Sequence, residues 1–327
     1  MRNPTLAAGL LAASTLAASA QAPALHVLTY DSFVSDWGPG PQIEVAFEAV
    51  CGCDLVFEAA GDGAAILSRL MLEGARSDVD VVLGLDTNLT AQAAPLIAPH
   101  GVTASLDLPI DWDDPLFLPY DWGWFAFVYD NTRVANPPHS FRELIESDLS
   151  VVIQDPRSST PGLGLLMWVK AAYGDESPAI WAGLAPRILT VTPGWSEAYG
   201  LFLSGEADMV LSYTTSPAYH LIAENDATKA AAEFAEGHYL QVEVAGIVAT
   251  TDQPELAQQF MAFMVSDAFQ SVIPETNWMY PAVTPAGGMS EGFAGMIQPA
   301  TSLLFPADQA EALRASALTE WRDALAQ

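Results

Sequence analysis

LTVTPGWSEAYGLFLSGEADMVLSYTTSPAYH, residues 189–220, is the stretch from which the fold is read. It scans as strand, aromatic turn, helix, strand, Ser-Pro turn and helix. Trp195, Tyr199, Tyr213 and Tyr219 are interleaved here with Gly194, Ser196, Thr214, Thr215, Ser216 and Pro217. Two turns at the ends of neighbouring strands therefore carry rings and hydroxyls together. An open α/β sheet builds small-molecule sites at that edge. Trp195, Tyr213 and Tyr219 each adjoin a Gly or Ser/Thr turn and are read as site residues. Tyr199 lies within the helix and is read as core.

The same alternation continues outward. Upstream, Ser140-Phe141-Arg142-Glu143 opens a helix as a capping box. Val151–Ile153 is a strand, and 154–162 is its outgoing loop. Thr160 as N-cap with Pro161 at the first helical position starts the next helix. Nearer the N-terminus, strands at Leu25–Tyr30, Asp54–Ala59 and Val79–Leu85 alternate with three helices: one from Pro41 to Val50, one after Asp62-Gly63, and one from about Thr87 to Ile97. Asp62 fits an N-cap. Such βαβ alternation marks a doubly wound unit. Two long strands lack helix partners: Tyr120–Tyr129, and His238–Thr250 after the second series. They suit crossovers between two lobes. Asn277-Trp278-Met279-Tyr280-Pro281 is an aromatic turn, and 307–326 reads as a closing amphipathic helix.

The expected fold class is therefore α/β, two doubly wound lobes joined by two crossover strands. Residues 23–121 with 246–327 form the first lobe, and 122–245 the second. Residues 1–22 read as a secretory signal. Arg2 precedes a small apolar run from Leu6 to Ala18, and Ala18-Ser19-Ala20 is an A-x-A pattern, placing cleavage near Ala20 or Ala22. The run is too short and alanine-rich for a stable membrane span.

Of 327 residues, 51% are hydrophobic, enough for real cores. Forty acids against 11 bases give a net charge of −29, and only Lys170 and Lys229 are lysines. That field repels phosphate backbones, so nucleic acid is not an expected partner, and it suits a cationic ligand. Asp31, Asp62 and Asp121 lie at strand ends or turns, and any of them could neutralise such a cation. The two cysteines, Cys51 and Cys53, fit either a local staple or two free thiols. The five histidines form no metal-ligand spacing.

Enzyme signatures are largely missing from the sequence, and nothing in it selects a catalytic pair among the abundant carboxylates. There is no G-x-S-x-G, H-E-x-x-H or P-loop, and no G-x-G-x-x-G after a strand. Gly162 and Gly164 sit inside a helix start and read as packing residues. What remains is a binding inventory. Helix starts at Asp62-Gly63, Ser159-Thr160 and Ser216-Pro217 leave free N–H groups. Tyr30, Trp195, Tyr213, Tyr219, Trp278 and Tyr280 can stack on planar or cationic rings.

Seven stretches carry a family resemblance: TYDSFVSDWGPGP, DVVLGLD, YDWGWFAFVYD, QDPRSSTPGLGLLMW, GWSEAYGLFLSGEADMVLSYTTSPAYH, EGHYLQVEVA and NWMYP. The chain resembles the periplasmic thiamine-binding proteins of bacterial ABC importers, of the type 2 periplasmic binding protein fold. The departures, mainly at the signal, around 101–118 and in 282–305, avoid these motifs. The resemblance implies two lobes closing over thiamine, its monophosphate or its diphosphate, with no cofactor. It further implies a periplasmic monomer delivering its ligand to membrane permease subunits. Carried over position by position, the ligand contacts look like Asp62 and Gly63, Ser159 and Thr160, and Trp195. They continue with Tyr213, Thr214, Thr215, Ser216 and Pro217, while Tyr30, Tyr219 and Trp278 resemble aromatic walls. Two alternatives stand beside this: a binder of another small organic cation such as a polyamine, and a thiaminase I-like enzyme with a Cys nucleophile.

Overall fold

The computed structural model describes residues 22–326. The signal expected over 1–22 lies, but for its last residue, outside the described residues. Among the described residues no helix is long and apolar enough to cross a membrane.

Eight strands form one continuous hydrogen-bonded path. They are β1 (Ala24–Thr29), β2 (Asp54–Ala59), β3 (Val81–Asp86), β4 (Leu118–Asp130), β5 (Val151–Gln154), β6 (Ile188–Thr192), β7 (Met209–Tyr213) and β8 (His238–Val248). Their order is β2-β1-β3-β8-β4-β7-β5-β6. At each end the pairing is parallel, β1 with β2 and β3, and β5 with β6 and β7. In the middle it is antiparallel, β8 with β3 and β4, and β4 with β7. Parallel strands buried on both faces read as unbroken apolar runs, and β3 is buried along its whole length.

β4 belongs to both halves. Its residues 118–124 pair with β8, and 125–129 pair with β7. It is the aromatic strand expected as a crossover, and β8 is its companion. β1, β2 and β3 with β8 and the first part of β4 make the first lobe. The rest of β4 with β5, β6 and β7 makes the second. This is the α/β, two-lobed class expected.

Six helices matter for the site: α1 (Gly40–Cys51), α2 (Gly63–Glu73), α3 (Thr160–Tyr173), α4 (Trp195–Leu203), α5 (Pro217–Ala223) and α6 (Ala307–Leu325). The N-cap of α3 is Ser159, one residue before the expected Thr160. The two glycines at its start are packing residues. A Cβ on Gly164 would lie 2.0 Å from the Phe125 ring, and one on Gly162 would lie 2.6 Å from the Gln154 carbonyl. Ser140 caps its helix as expected: its side chain accepts from the Glu143 N–H at 3.0 Å, while the Glu143 carboxylate reaches one residue past the cap and accepts from the His139 N–H at 2.8 Å. The helix expected over 87–97 is a single turn, Thr90–Ala93, continued as a 3₁₀ turn over 94–96.

Cys51 and Cys53 are joined as a disulfide at the end of α1, so the staple holds and the free-thiol alternative does not.

α6, within 246–327, packs against elements of both lobes. It packs on α3 and on the helix Ser177–Leu184 in the second lobe, and on the turn Thr90–Ala93 in the first. Lys170 on α3 pairs with Glu320 at 2.8 Å, and the Ser177 hydroxyl donates to the same carboxylate at 2.6 Å. On the other side Arg314 bonds Gln92. The amphipathic pattern reveals that α6 has an apolar face but not which lobe covers it.

Candidate functional site

A cavity of about 550 Å³ lies between the lobes. It opens where the parallel strands of both lobes end. Tyr30 follows β1, Asp62 caps α2, Trp195 starts α4, Tyr213 ends β7, and Ser216 precedes α5. All five line the cavity, as do Tyr219 and Trp278. The local reason is the one that shapes open α/β sheets: each strand ends where its outgoing turn must expose backbone and side-chain polar groups.

Rings meet across the gap. Tyr219 of α5 faces Trp278 of the aromatic turn, centroids 5.2 Å apart at 71°. Trp195 faces Trp37 at 6.4 Å. The second-lobe wall continues inward as a stack. Trp195 lies on Tyr199 at 4.9 Å and 25°, and Tyr199 lies on His220 at 5.9 Å and 17°. Trp278 has φ +57°, a left-handed backbone unusual for a bulky residue. Such conformations cluster at ligand sites, where the surroundings hold them.

Hydroxyls fix the second-lobe turn. Trp195 Nε1 donates to Ser212 Oγ at 2.8 Å, Ser212 Oγ lies 2.7 Å from Ser216 Oγ, and the Tyr213 N–H donates to Ser216 Oγ at 3.1 Å. Burial pushes the Tyr213 hydroxyl well above its ordinary pKa, with nearby carboxylates adding to it.

The lobes touch directly at the mouth. Ser159 Oγ donates to Asp62 Oδ2 at 2.7 Å, and the Gly63 N–H donates to Thr160 Oγ1 at 3.1 Å. The Ala65 N–H donates to the Ser158 carbonyl at 3.1 Å. Burial pushes the Asp62 carboxyl up, against the hydrogen bonds it accepts from the Ser159 hydroxyl and the Gly63 N–H.

The expected residues thus divide. Tyr30, Asp62, Trp195, Tyr213, Ser216, Tyr219 and Trp278 wall the cavity. Gly63, Ser159 and Thr160 sit beside it, joined across the cleft to one another and to Asp62. Thr214, Thr215 and Pro217 are buried behind the turn, and the Thr215 hydroxyl points to the Met279 sulfur at 3.7 Å. Tyr199, read as core, is buried but also lines the cavity. It is both: Trp195 and His220 stack on its ring, and the residue still reaches the cavity lining.

Of the lining residues that were not anticipated, four bear most on the site. Trp37 is 54% exposed, on the loop before a Gly-Pro turn. Pro161 opens α3. Asn277 lies one residue from an anticipated site residue, Trp278. The fourth is Glu243, buried on β8. The signal for it was Gln241 and Glu243 two apart in an otherwise apolar strand, which puts two polar groups on one sheet face. Asp31, by contrast, ties the turn after β1 to the turn after β2: its Oδ1 accepts from the Gly61 N–H at 2.9 Å, and its own N–H donates to the Gly61 carbonyl at 2.9 Å.

Residues 36–271 match the family model described as bacterial extracellular solute-binding protein. The chain belongs to the bacterial extracellular solute-binding proteins. Among members of this solute-binding family, it is 53% identical over 93% of its length to the thiamine-binding periplasmic protein of Escherichia coli strain K12, covering 94% of that protein. It is 49% identical over 95% to that of Brucella melitensis biotype 1, again covering 95%. A solved periplasmic thiamin binding protein superposes with a TM-score of 0.92 at 52% identity, over 95% of this chain and 98% of that one. The iron-bound HitA of Pseudomonas aeruginosa shares the solute-binding fold at 20% identity, with a TM-score of 0.73 over 92% of this chain and 99% of that one.

Proposed function

We infer that this chain is a periplasmic thiamine-binding protein that serves an ABC importer. It takes thiamine, or thiamine mono- or diphosphate, between two closing lobes, and works as a monomer that hands its ligand to membrane permease subunits. The observation that carries the reading is the cavity itself. It is walled by Tyr30, Trp195, Tyr219 and Trp278, carries carboxylates and no basic side chain in its lining, and sits in a chain sharing about half its residues with thiamine-binding relatives.

The role follows from the chemistry of the walls. Thiamine is a cation with two flat rings. Tyr219 and Trp278 offer faces for stacking and cation–π contact, each worth about 0.5–2 kcal/mol. Asp62 reads the aminopyrimidine from the mouth. Ser216, Trp195 and Tyr213 meet the hydroxyethyl or phosphate end. Ser159 and Thr160 act by holding Asp62 and Gly63, and so by favouring the closed state. A ligand shifts the open–closed balance only through contacts that differ between the two states, and bonds spanning both lobes are such contacts.

Binding rather than catalysis is the role. A thiaminase-like reading needs a free thiol in the cleft, and both cysteines are in the disulfide, away from the cavity. Calorimetric titration with thiamine, its two phosphates and spermidine tests the reading. One-to-one binding of a thiamine form, with spermidine failing to compete, is expected. Tight spermidine binding with none by any thiamine form overturns it.

A further inference from the structure

The antiparallel register of β8 on β4 sets Glu243 directly opposite Asp121. Like charges opposed on neighbouring strands repel. Here they do so in the interior: Asp121 is 0% exposed and Glu243 6%. Among the described residues neither forms an ion pair with a base. Burying two unpaired carboxylates is costly, and such a site persists where a counter-charge arrives from outside.

The fold aims this pair at the cavity. β8 breaks register against β4 between Glu243 and Val244, and against β3 between Val244 and Ala245. Bulges of this kind re-aim a side chain beside a site. Glu243 lines the cavity, and its Oε2 accepts from Tyr120 Oη at 2.6 Å and Tyr30 Oη at 3.1 Å. Asn277, also lining, donates through Nδ2 to Asp121 Oδ2 at 2.6 Å and to Tyr30 Oη at 2.9 Å. Asp121 Oδ1 is buried without a partner.

The titratable groups facing the pair are all acidic or phenolic. They are Tyr30 after β1, Asp62 at the mouth, Asp86 at the end of β3, Tyr120 on β4 and Tyr213 on β7. Burial first, and then mutual repulsion, raises the Asp121 carboxyl. Burial first, and then the charges of Asp62 and Asp86, raises Glu243.

We propose that Glu243, backed by Asp121, is the counter-charge for the ligand's cationic ring, and that the empty cavity keeps a proton on this pair which passes to solvent as the cation enters. The exchange balances: one positive charge enters the site and one proton leaves. The proposal rests on the reading of the cavity as a thiamine site.

The test is calorimetry of the full chain with thiamine in two buffers of different ionisation enthalpy. The comparison ligand is the neutral isostere in which carbon replaces the thiazolium nitrogen. It keeps the pyrimidine, so its own proton exchange can be subtracted. Thiamine is expected to release up to about one proton per ligand at mildly acidic pH, vanishing in alkaline buffer. Glu243→Gln is expected to lose about tenfold or more in thiamine affinity, with little change for the neutral analogue and less proton release. Asp121→Asn moves both quantities the same way by less. Equal heats in both buffers, or equal affinity losses for thiamine and the analogue, overturn the proposal while leaving the thiamine reading intact. Failure of the unmutated protein to bind either compound overturns that reading, and this proposal with it.

Discussion

Ser159 holds Asp62 across the cleft: the hydroxyl of one lobe donates to the carboxylate of the other at 2.7 Å. Asp62 also caps α2, so one side chain ends a helix of the first lobe and receives the start of α3 from the second. A hydrogen bond to a charged group contributes about 1.5–3 kcal/mol. Ser159→Ala removes it without disturbing either helix's own hydrogen bonds. The variant is expected to bind thiamine roughly tenfold more weakly, as 1.4 kcal/mol is a factor of ten. Small-angle scattering should show a larger unliganded radius of gyration than in the parent. Unchanged affinity and radius would remove Ser159 from the closing contacts.

Tyr219 stands on α5 with its hydroxyl tied to Glu224 at 3.0 Å, edge-on to Trp278. Truncation to Ala leaves the helix and removes the ring. The expected loss in thiamine affinity is about 1–3 kcal/mol, by analogy with stacking on an aromatic base. Calorimetry that finds no loss would show that the ring faces the cavity without touching ligand.

Trp278 separates ring from backbone. At φ +57° glycine is at ease and tryptophan is not. Trp278→Gly is expected to weaken binding while lowering the unliganded melting temperature by less than a typical loss of a large aromatic, about 3–5 kcal/mol for a core residue. A melting temperature that falls as far as that cost implies would mean the ring supports the fold before it serves the site.

Glu243 carries a pH signature of its own. Its folded pKa is raised, so over the window between its unfolded value, about 4.3, and neutrality the native state binds more protons than the unfolded one. Its contribution to stability is therefore fullest in acid and is lost as pH rises through that window. Glu243→Gln abolishes this titration. Chemical denaturation without ligand is expected to find the variant more stable than the parent in neutral buffer and similar near pH 4. The reverse order would mean Glu243 has a favourable partner in the empty protein.

The lobes were legible because their central strands are buried on both faces and end in turn chemistry. β2 and β8 begin at the residues expected, and Asp62 caps α2 as its position suggests. The aromatic cavity wall was legible for the same reason, since rings beside Gly or Ser/Thr turns sit where strands end. Two things resisted. Tyr199 has the spacing of a core residue and is one, and only the stack onto Trp195 carries it to the cavity. Glu243 hides in a strand whose register and bulge decide its aim, and neither can be read from spacing. The cross-lobe contacts at Ser159 and Thr160 look like ordinary helix starts until the facing lobe is in place.

β8 lies between β3 and β4 in the sheet, yet it comes after the whole of the second lobe in the chain. Synthesis runs from the N-terminus, so β1, β2 and β3 are made long before the strand that completes them. Until residue 248 is reached, β3 has an open edge and the first lobe cannot close its core. The second lobe's β5, β6 and β7 are near one another in sequence and can assemble early. Pairings of such long sequence separation slow folding. The late strand that closes the open edge of β3 is also the one that brings Glu243 to the cavity, so the first lobe's sheet is joined and its carboxylate delivered in a single step.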